Sequence, residues 1–335
     1  MPNNLKGRVA VVAGSGQGVG RAIAIAMAQE GARVVTNNRK RGSTGAFVYD
    51  EEFQKSLTAG QRERIIKRNE RYSGDAETVA KEIRDMGGEA VPFFGDAGDY
   101  EVAGQLIQTA VDSFGRIDIL VNNAGAFGHA PVWEMSKETW HRVVDNKPTS
   151  AFYTIRHAAP LMIKQKWGRI LNCTSGAWLG TADTCNYGAA NAGIVGLTRA
   201  VARELWPYGI TCNSYAPSAM TRANYALWIR FQLREQMGMP VMPKERLEQI
   251  MSNMDTRRGP EYMAPMIAFL ATEAAANISG TVFQASVEGS TFERFSEPAV
   301  VTSIDKPEGF WTVDELIEAT PEGLLEGYVS PAAPA

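Results

Sequence analysis

The sequence predicts an α/β fold, a doubly wound parallel seven-stranded sheet with helices on both faces, and three observations carry that prediction. Apolar runs of strand length alternate with longer segments of helical period from residue 9 to residue 285. A glycine-rich turn, Ala13-Gly14-Ser15-Gly16-Gln17-Gly18-Val19-Gly20, follows the first apolar run and opens the first helical one. Repeated strand-then-helix units of this kind bury a parallel sheet under helices on both faces, with right-handed crossovers.

The first strand is expected at Val9–Ala13, the helix after the glycine turn at 21–29 and the second strand at 32–36. Residues 42–74 then break the rhythm as a long insertion, whose charged stretch 51–71 has the character of a solvated helix. The alternation resumes with a helix at 76–86, a strand at Ala90–Phe94, a helix at 101–114 and a strand at 117–121. It continues with a helix at 151–166, a strand at 170–172, a helix at 189–205 and a strand at 211–216. Residues 222–258, rich in Met, Trp, Tyr and Leu, depart from it before a helix at 260–270 and a seventh strand at 281–285. Beyond Glu288 the period is weak, prolines are frequent, and one short helical signal stands at Val313–Ala319. The expected organisation is one domain over 1–287, with the insertion 42–74 and a cover at 222–258, followed by an extension at 288–335 that wraps the surface or a subunit interface. No internal repeat is visible.

Composition narrows the class. A chain of 335 residues with 44% apolar and 21% charged content buries a large core. Its net charge of -3 and pI near 5.8 argue against a nucleic-acid partner or an anionic membrane surface, which need clustered positive charge. The N-terminus shows neither a signal-type apolar region nor a spanning stretch of about 20 residues, so a cytoplasmic metabolic protein is expected. Cys173, Cys185 and Cys212 lack metal-site spacing, and the histidines His129, His141 and His157 are scattered; no metal is expected.

The glycine turn carries chemistry because of where it stands. Gly14 permits a tight exit from the strand, Gly18 lets the backbone approach a pyrophosphate, and Gly20 lets the helix pack on the sheet. The helix start then offers unpaired N–H groups and a positive dipole end to phosphates.

The Gly14-x-x-x-Gly18-x-Gly20 pattern resembles the fingerprint of the short-chain dehydrogenase/reductase family, with Ala13 where that family usually has threonine. The resemblance covers about residues 5–285 and implies a Rossmann-like fold and a nicotinamide cofactor. Other motifs follow in order. Asp96, followed by Ala97, matches the family's adenine-contacting aspartate. Asn122-Asn123-Ala124-Gly125 matches the motif that stabilises the sheet and borders the cofactor. Ala216-Pro217-Ser218-Ala219-Met220-Thr221 matches the Pro-Gly motif with serine for glycine, and Thr221 meets the nicotinamide amide by that match. Together with Gly14, Ser15, Gln17, Gly18 and Val19 of the turn, these residues form the expected cofactor surface.

At the end of the second strand an acidic residue would select NAD by binding its ribose hydroxyls. Here Asn38 stands in that place, followed by Arg39, Lys40 and Arg41. An uncharged amide beside guanidinium groups favours a 2′-phosphate, hence NADP(H), with NAD(H) as the alternative.

Tyr187-Gly188-Ala189-Ala190-Asn191 has the family's Tyr-x-x-x-Lys spacing with asparagine at the lysine position. Upstream, 140–147 resembles the helix that ends in the family's active-site asparagine, and there the chain has Lys147. In the family the serine positions a carbonyl, the tyrosine exchanges a proton with its oxygen, the lysine binds ribose and supports the tyrosine, and the asparagine holds a relay water. Ser175 matches the serine, with Thr174 beside it as a substitute. Residue 191 lies one helical turn from Tyr187 on the same face, so Asn191 occupies the lysine's place without its charge. The resemblance suggests that Lys147 and Asn191 are an exchanged pair, with Lys147 returning a cation to Tyr187 from the facing wall. The alternatives are that Lys147 points to solvent and the relay is broken, or that Lys147 polarises a substrate oxygen or acts as a base. Pro148 beside it disrupts helical hydrogen bonding there.

Methionines cluster from Met220 to Met266, where this family places a lid, and with Tyr225, Trp228, Phe231 and Leu233 they suggest an adaptable apolar cover for a bulky substrate, or else helical core packing. Phe127, His129, Trp133 and Trp178 are candidate walls. Within the family the chain looks most like the branch holding the 3-hydroxyacyl-CoA dehydrogenase part of multifunctional β-oxidation enzymes, a branch that also acts on cyclic ketones and alcohols. The expected function is an NADP(H)-linked oxidoreductase acting on a small molecule and assembled as a homodimer or homotetramer. The alternatives are a nonredox lyase, hydratase or isomerase in the same cleft, and a cofactor-binding protein without turnover.

Overall fold

A computed structural model describes residues 3–42, 74–219, 259–286, 291–296, 302–303 and 312–320. The charged helix expected within the insertion, the cover at 222–258, Thr221 and most of the tail lie outside the described residues. The elements run β1 (Val9–Ala13), α1 (Gly18–Gln29), β2 (Arg33–Asn38), α2 (Ala76–Asp85), β3 (Ala90–Phe94), α3 (Tyr100–Phe114) and β4 (Ile119–Asn122). They continue with α4 (Lys137–Val144), a π-helical turn (Asp145–Thr149), α5 (Ser150–Gln165), β5 (Gly168–Cys173), α6 (Cys185–Leu205) and β6 (Ile210–Ser218). The last are α7 (Ala264–Phe269), β7 (Val282–Ser286), β8 (Phe292–Arg294) and α8 (Val313–Ala319).

The strands form one sheet in the order β3-β2-β1-β4-β5-β6-β7-β8. The seven expected strands are all parallel, and β8 adds a short antiparallel edge. Alternation along β1 shows how the layers form: Ala10 and Val12 join a core with α1, α2 and α7, whereas Val9, Val11 and Ala13 join one with α3, α5 and α6. Strand order reverses between β1 and β4, which opens a crevice at their C-terminal ends, where α/β sheets bind ligands.

Several boundaries differ from the sequence expectation, each for a local reason. β2 extends to Asn38 because Asn37 and Asn38 pair with Phe93 and Phe94; ladder partners, not side-chain polarity, decide where a strand ends. The helix expected at 260–270 is a 3-10 turn, Pro260–Tyr262, followed by the short α7, since Pro265, interior to the expected helix, has no N–H to donate to the carbonyl of Glu261. Two compact units divide the chain, Met1–Phe295 and Ser296–Ala335. The first runs past residue 287 because β8 pairs with β7, with Phe292 stacked on Phe283 at 4.7 Å. In the second, Thr312 and Glu315 close a capping box at the start of α8. Among the described residues no helix is long and apolar enough to cross a membrane.

Candidate active site

The glycine turn is held from three sides. Gly14 has φ of 75°, and a Cβ there would stand 2.7 Å from the Ala124 backbone nitrogen, so both conformation and space require glycine. The Asn37 side chain accepts from the Gly14 N–H (3.2 Å), and the Asn123 amide donates to the Gly14 carbonyl (3.2 Å). Ser15 was expected on the cofactor surface. It is fully buried, its hydroxyl accepts from the Asn37 N–H (2.8 Å) and its own N–H goes to the Asn37 carbonyl (2.8 Å), so it fastens the turn to β2. Val19 packs on the core, and the Gln17 amide donates to the Gly74 carbonyl (3.1 Å). The start of α1 has no side-chain cap and no acidic residue in its first turn. With Gly18 at its head, that positive end fits a pyrophosphate.

On the adenosine side, the Asn38 oxygen accepts from the Ala76 N–H (2.8 Å) at the start of α2, and its nitrogen donates to the Lys40 carbonyl (3.0 Å). Arg39 lies beside Asp96, Nε to Oδ2 at 3.5 Å, and donates from Nη2 to Asn146 Oδ1 at 3.1 Å. The other Asp96 oxygen accepts from the Gly98 N–H (2.9 Å), while Ala97 is buried against the core. Arg41 lies over the Phe94 ring at 4.5 Å.

Three segments meet around Tyr187. Phe127 stacks on its ring with centroids 4.6 Å apart. Lys147, on the π-helical turn, is only 4% exposed, and its Nζ lies 5.5 Å from the Tyr187 ring centroid. Nζ is also 3.6 Å from the point a Cβ would take on Gly125, an ordinary contact distance that sets the ammonium close beside the Asn122–Gly125 segment. Asn191 is fully buried; its nitrogen donates to the Tyr187 carbonyl (2.7 Å), and its oxygen has no hydrogen-bond partner among the described residues. α6 begins at Cys185, ahead of the tyrosine, where buried Asn186 accepts from the Tyr187 N–H (2.7 Å) and donates to the Thr139 carbonyl (3.3 Å) of α4. The tyrosine thus sits in a first helical turn pinned to its neighbour.

Ser175 precedes a 3-10 turn, Gly176–Leu179, and its Oγ accepts from the Ala177 N–H (3.3 Å). That turn packs on α6 beside the tyrosine, since a Cβ on Gly188 would stand 3.3 Å from the Ala177 carbonyl. Thr174, named as a substitute for Ser175, is buried and donates to the Asn191 carbonyl (3.1 Å), which leaves Ser175 as the partly exposed hydroxyl of the two. Pro217 lies near the C-terminal end of β6, paired with Ala285.

Two further buried groups lie in this region: Tyr215, which the sequence reading did not name, and Cys173, which it named only as a thiol without metal-site spacing. Tyr215 donates to the Asn123 oxygen (3.1 Å) and so braces the residue that holds Gly14; burial pushes its phenol well above the ordinary range. Cys173 ends β5 opposite Tyr215. Burial raises its thiol, an effect the Lys147 ammonium opposes. No linear spacing announces either role, because the partners lie on strands far apart in sequence. The arrangement is that of a phenol with a buried cation near its ring, on a helix against which the turn following the partly exposed Ser175 packs, in a sheet whose first helix has an uncapped start. It is suited to passing a proton to or from an oxygen next to a phosphate-anchored cofactor.

The sequence profile described as short chain dehydrogenase matches residues 53–226. The chain is 34% identical over 281 residues to a 3-oxoacyl-[acyl-carrier-protein] reductase of Synechocystis sp., spanning 83% of this chain and 95% of that one. It is 33% identical over 287 residues to a peroxisomal hydratase-dehydrogenase-epimerase of Saccharomyces cerevisiae, spanning 85% of this chain and 27% of that longer protein. The crystal structure of a short chain dehydrogenase from Mycobacterium avium superposes with a TM-score of 0.73 at 32% identity, covering 99% of this chain and 98% of the other.

Proposed function

This chain belongs to the short-chain dehydrogenase/reductase family, and on that footing we propose that it interconverts a carbonyl and an alcohol on a 3-oxoacyl or 3-hydroxyacyl thioester or a bulky cyclic ketone, using NADP(H). A bound nicotinamide supplies or accepts hydride at its C4 position. Ser175 orients the substrate oxygen by hydrogen bonding, and Tyr187 gives that oxygen its proton in reduction or takes it in oxidation. Lys147 stabilises the negative charge that develops on the phenol as the proton leaves, and Asn191 holds the turn of α6 on which the tyrosine stands. The observation that carries this reading is the buried Lys147 ammonium, 5.5 Å from the Tyr187 ring centroid.

The open start of α1, with Gly14, Gln17, Gly18 and Val19, is the proposed pyrophosphate site; Asp96, Asn123, Ala124, Gly125 and Pro217 are proposed to border the rest of the cofactor, and Thr221, outside the described residues, is assigned there by the motif match alone. NADP(H) is favoured over NAD(H) because residue 38 is uncharged and Arg39 stands exposed on the same rim. The proposed acyl class follows the 3-oxoacyl reductase among the relatives, and the exposed Phe127, Trp133 and Leu179 are apolar surface suited to it. A homodimer or homotetramer is also proposed, supported by the half-exposed Phe152 on α5 and the adjoining Tyr100 and Tyr153 rings, 5.2 Å apart.

The test is to offer the purified protein a 3-oxoacyl thioester series and a cyclic ketone series, with NADPH and NADH in parallel. The near-ultraviolet absorbance of the reduced nicotinamide and the substrate by mass spectrometry are followed together. Loss of absorbance matched by alcohol formation, faster with NADPH, is expected. Substrate conversion without nicotinamide change would replace the reading by the nonredox one, and tight cofactor binding without conversion by the silent one.

A further inference from the structure

We propose that Asn146 is a specificity-determining positioning residue that orients Arg39 toward the 2′-phosphate of the cofactor; the inference rests on the NADP(H) reading above. Asn146 and Lys147 are consecutive in the π-helical turn Asp145–Thr149, yet they face different ways: Lys147 is buried beside Tyr187, whereas Asn146 reaches the adenosine rim. Both ends of the Asn146 amide are engaged. Its oxygen accepts from Arg39 Nη2 at 3.1 Å, and its nitrogen donates to the Arg142 carbonyl at 2.8 Å, which fixes the amide to the last turn of α4. Arg39 is held at a second point by Asp96, Nε to Oδ2 at 3.5 Å.

A guanidinium carries five N–H donors in a fixed plane. Anchoring Nε on Asp96 and Nη2 on Asn146 fixes the orientation of that plane, and among the described residues the Nη1 donors are left for another acceptor. A phosphate is the acceptor that a guanidinium edge recognises best. An arginine on a free stem would lose rotamer entropy on binding it, and the two anchors have already removed that freedom. The contact joins positions 107 residues apart, so a property of the cofactor's adenosine end is read through the turn that also carries Lys147.

The test measures binding of two probes by titration calorimetry, 2′,5′-ADP and 5′-ADP, to the full chain and to Asn146→Ala, Arg39→Ala and the double variant, with a melting temperature for each. Asn146→Ser replaces the alanine variant should the latter melt early, because its hydroxyl is too short to reach Arg39. Loss of one oriented hydrogen bond to a charged group predicts about a tenfold weaker 2′,5′-ADP complex in Asn146→Ala, with 5′-ADP unchanged within about twofold. It also predicts that the double variant is no weaker than Arg39→Ala alone. Equal weakening toward both probes, unchanged affinity for 2′,5′-ADP, or additive losses in the double variant would each overturn the proposal. Failure of the unaltered protein to bind either probe would overturn the nucleotide reading, and the proposal with it.

Discussion

Lys147 is a buried ammonium with no carboxylate partner among the described residues, which is an expensive arrangement for a folded chain. A methionine would fill the same space without the charge, so the Lys147→Met variant separates stability from activity. It is expected to melt no lower than the parent. Its kcat/KM is expected to fall by about 100-fold or more. Thermal denaturation and steady-state kinetics on one preparation check both halves, and full activity in the variant would remove Lys147 from the mechanism. Asparagine at the family's lysine spacing was legible in the sequence, because Tyr187 and Asn191 lie within one helical turn and their spacing is local; Lys147 as its exchange partner was an expectation from the resemblance and is the proposal these variants test. The contact between Arg39 and Asn146 was not legible, since nothing in either segment points to a partner 107 residues away. Nor did the glycine pattern say which way Ser15 faces; only the pairing with Asn37 turns it inward.

At the scale of elements, the start of α2 shows how a cofactor-side edge is stabilised. Asp75 caps the helix by accepting from the Thr78 N–H (2.9 Å) and also accepts from the Gly42 N–H (2.9 Å). Burial alone would push its carboxyl up, but the N–H groups of Gly42, Thr78 and Glu77 outweigh that and hold it below its usual value. A carboxyl lowered in the folded state adds stability above its unfolded pKa of about 3.9 and loses it as the pH falls from there toward the folded value. Asp75→Ala is therefore expected to cost about 1 kcal/mol at neutral pH. The gap between variant and parent should narrow in denaturant titrations carried below about pH 4; a gap independent of pH would assign the loss to packing. Element types were well legible in the apolar periods. Their ends were not, because Asn37 and Asn38 stay in β2 through backbone pairing that no side-chain pattern reveals.

The whole molecule brings the reacting groups together only through its topology. β4, β5 and β6 are neighbours in the sheet, so the segments that follow β4 and β5 converge at one end of it, and Phe127, Lys147 and Tyr187 meet although they are distant in sequence. The parallel order was legible from the strand and helix rhythm, whereas the added edge β8 was not, since three residues in a proline-containing tail carry too little pattern to announce a strand. The central claim is that the fold tolerates the cation on either wall of the Tyr187 site, provided that one wall has it. The direct measurement is kcat/KM for Lys147→Asn, Asn191→Lys and the two changes combined, each with a melting temperature to confirm folding. A loss of about 100-fold is expected in Lys147→Asn, with most of it recovered when Asn191→Lys is added. A combined variant that loses the sum of the two single losses, while melting like the parent, would contradict it.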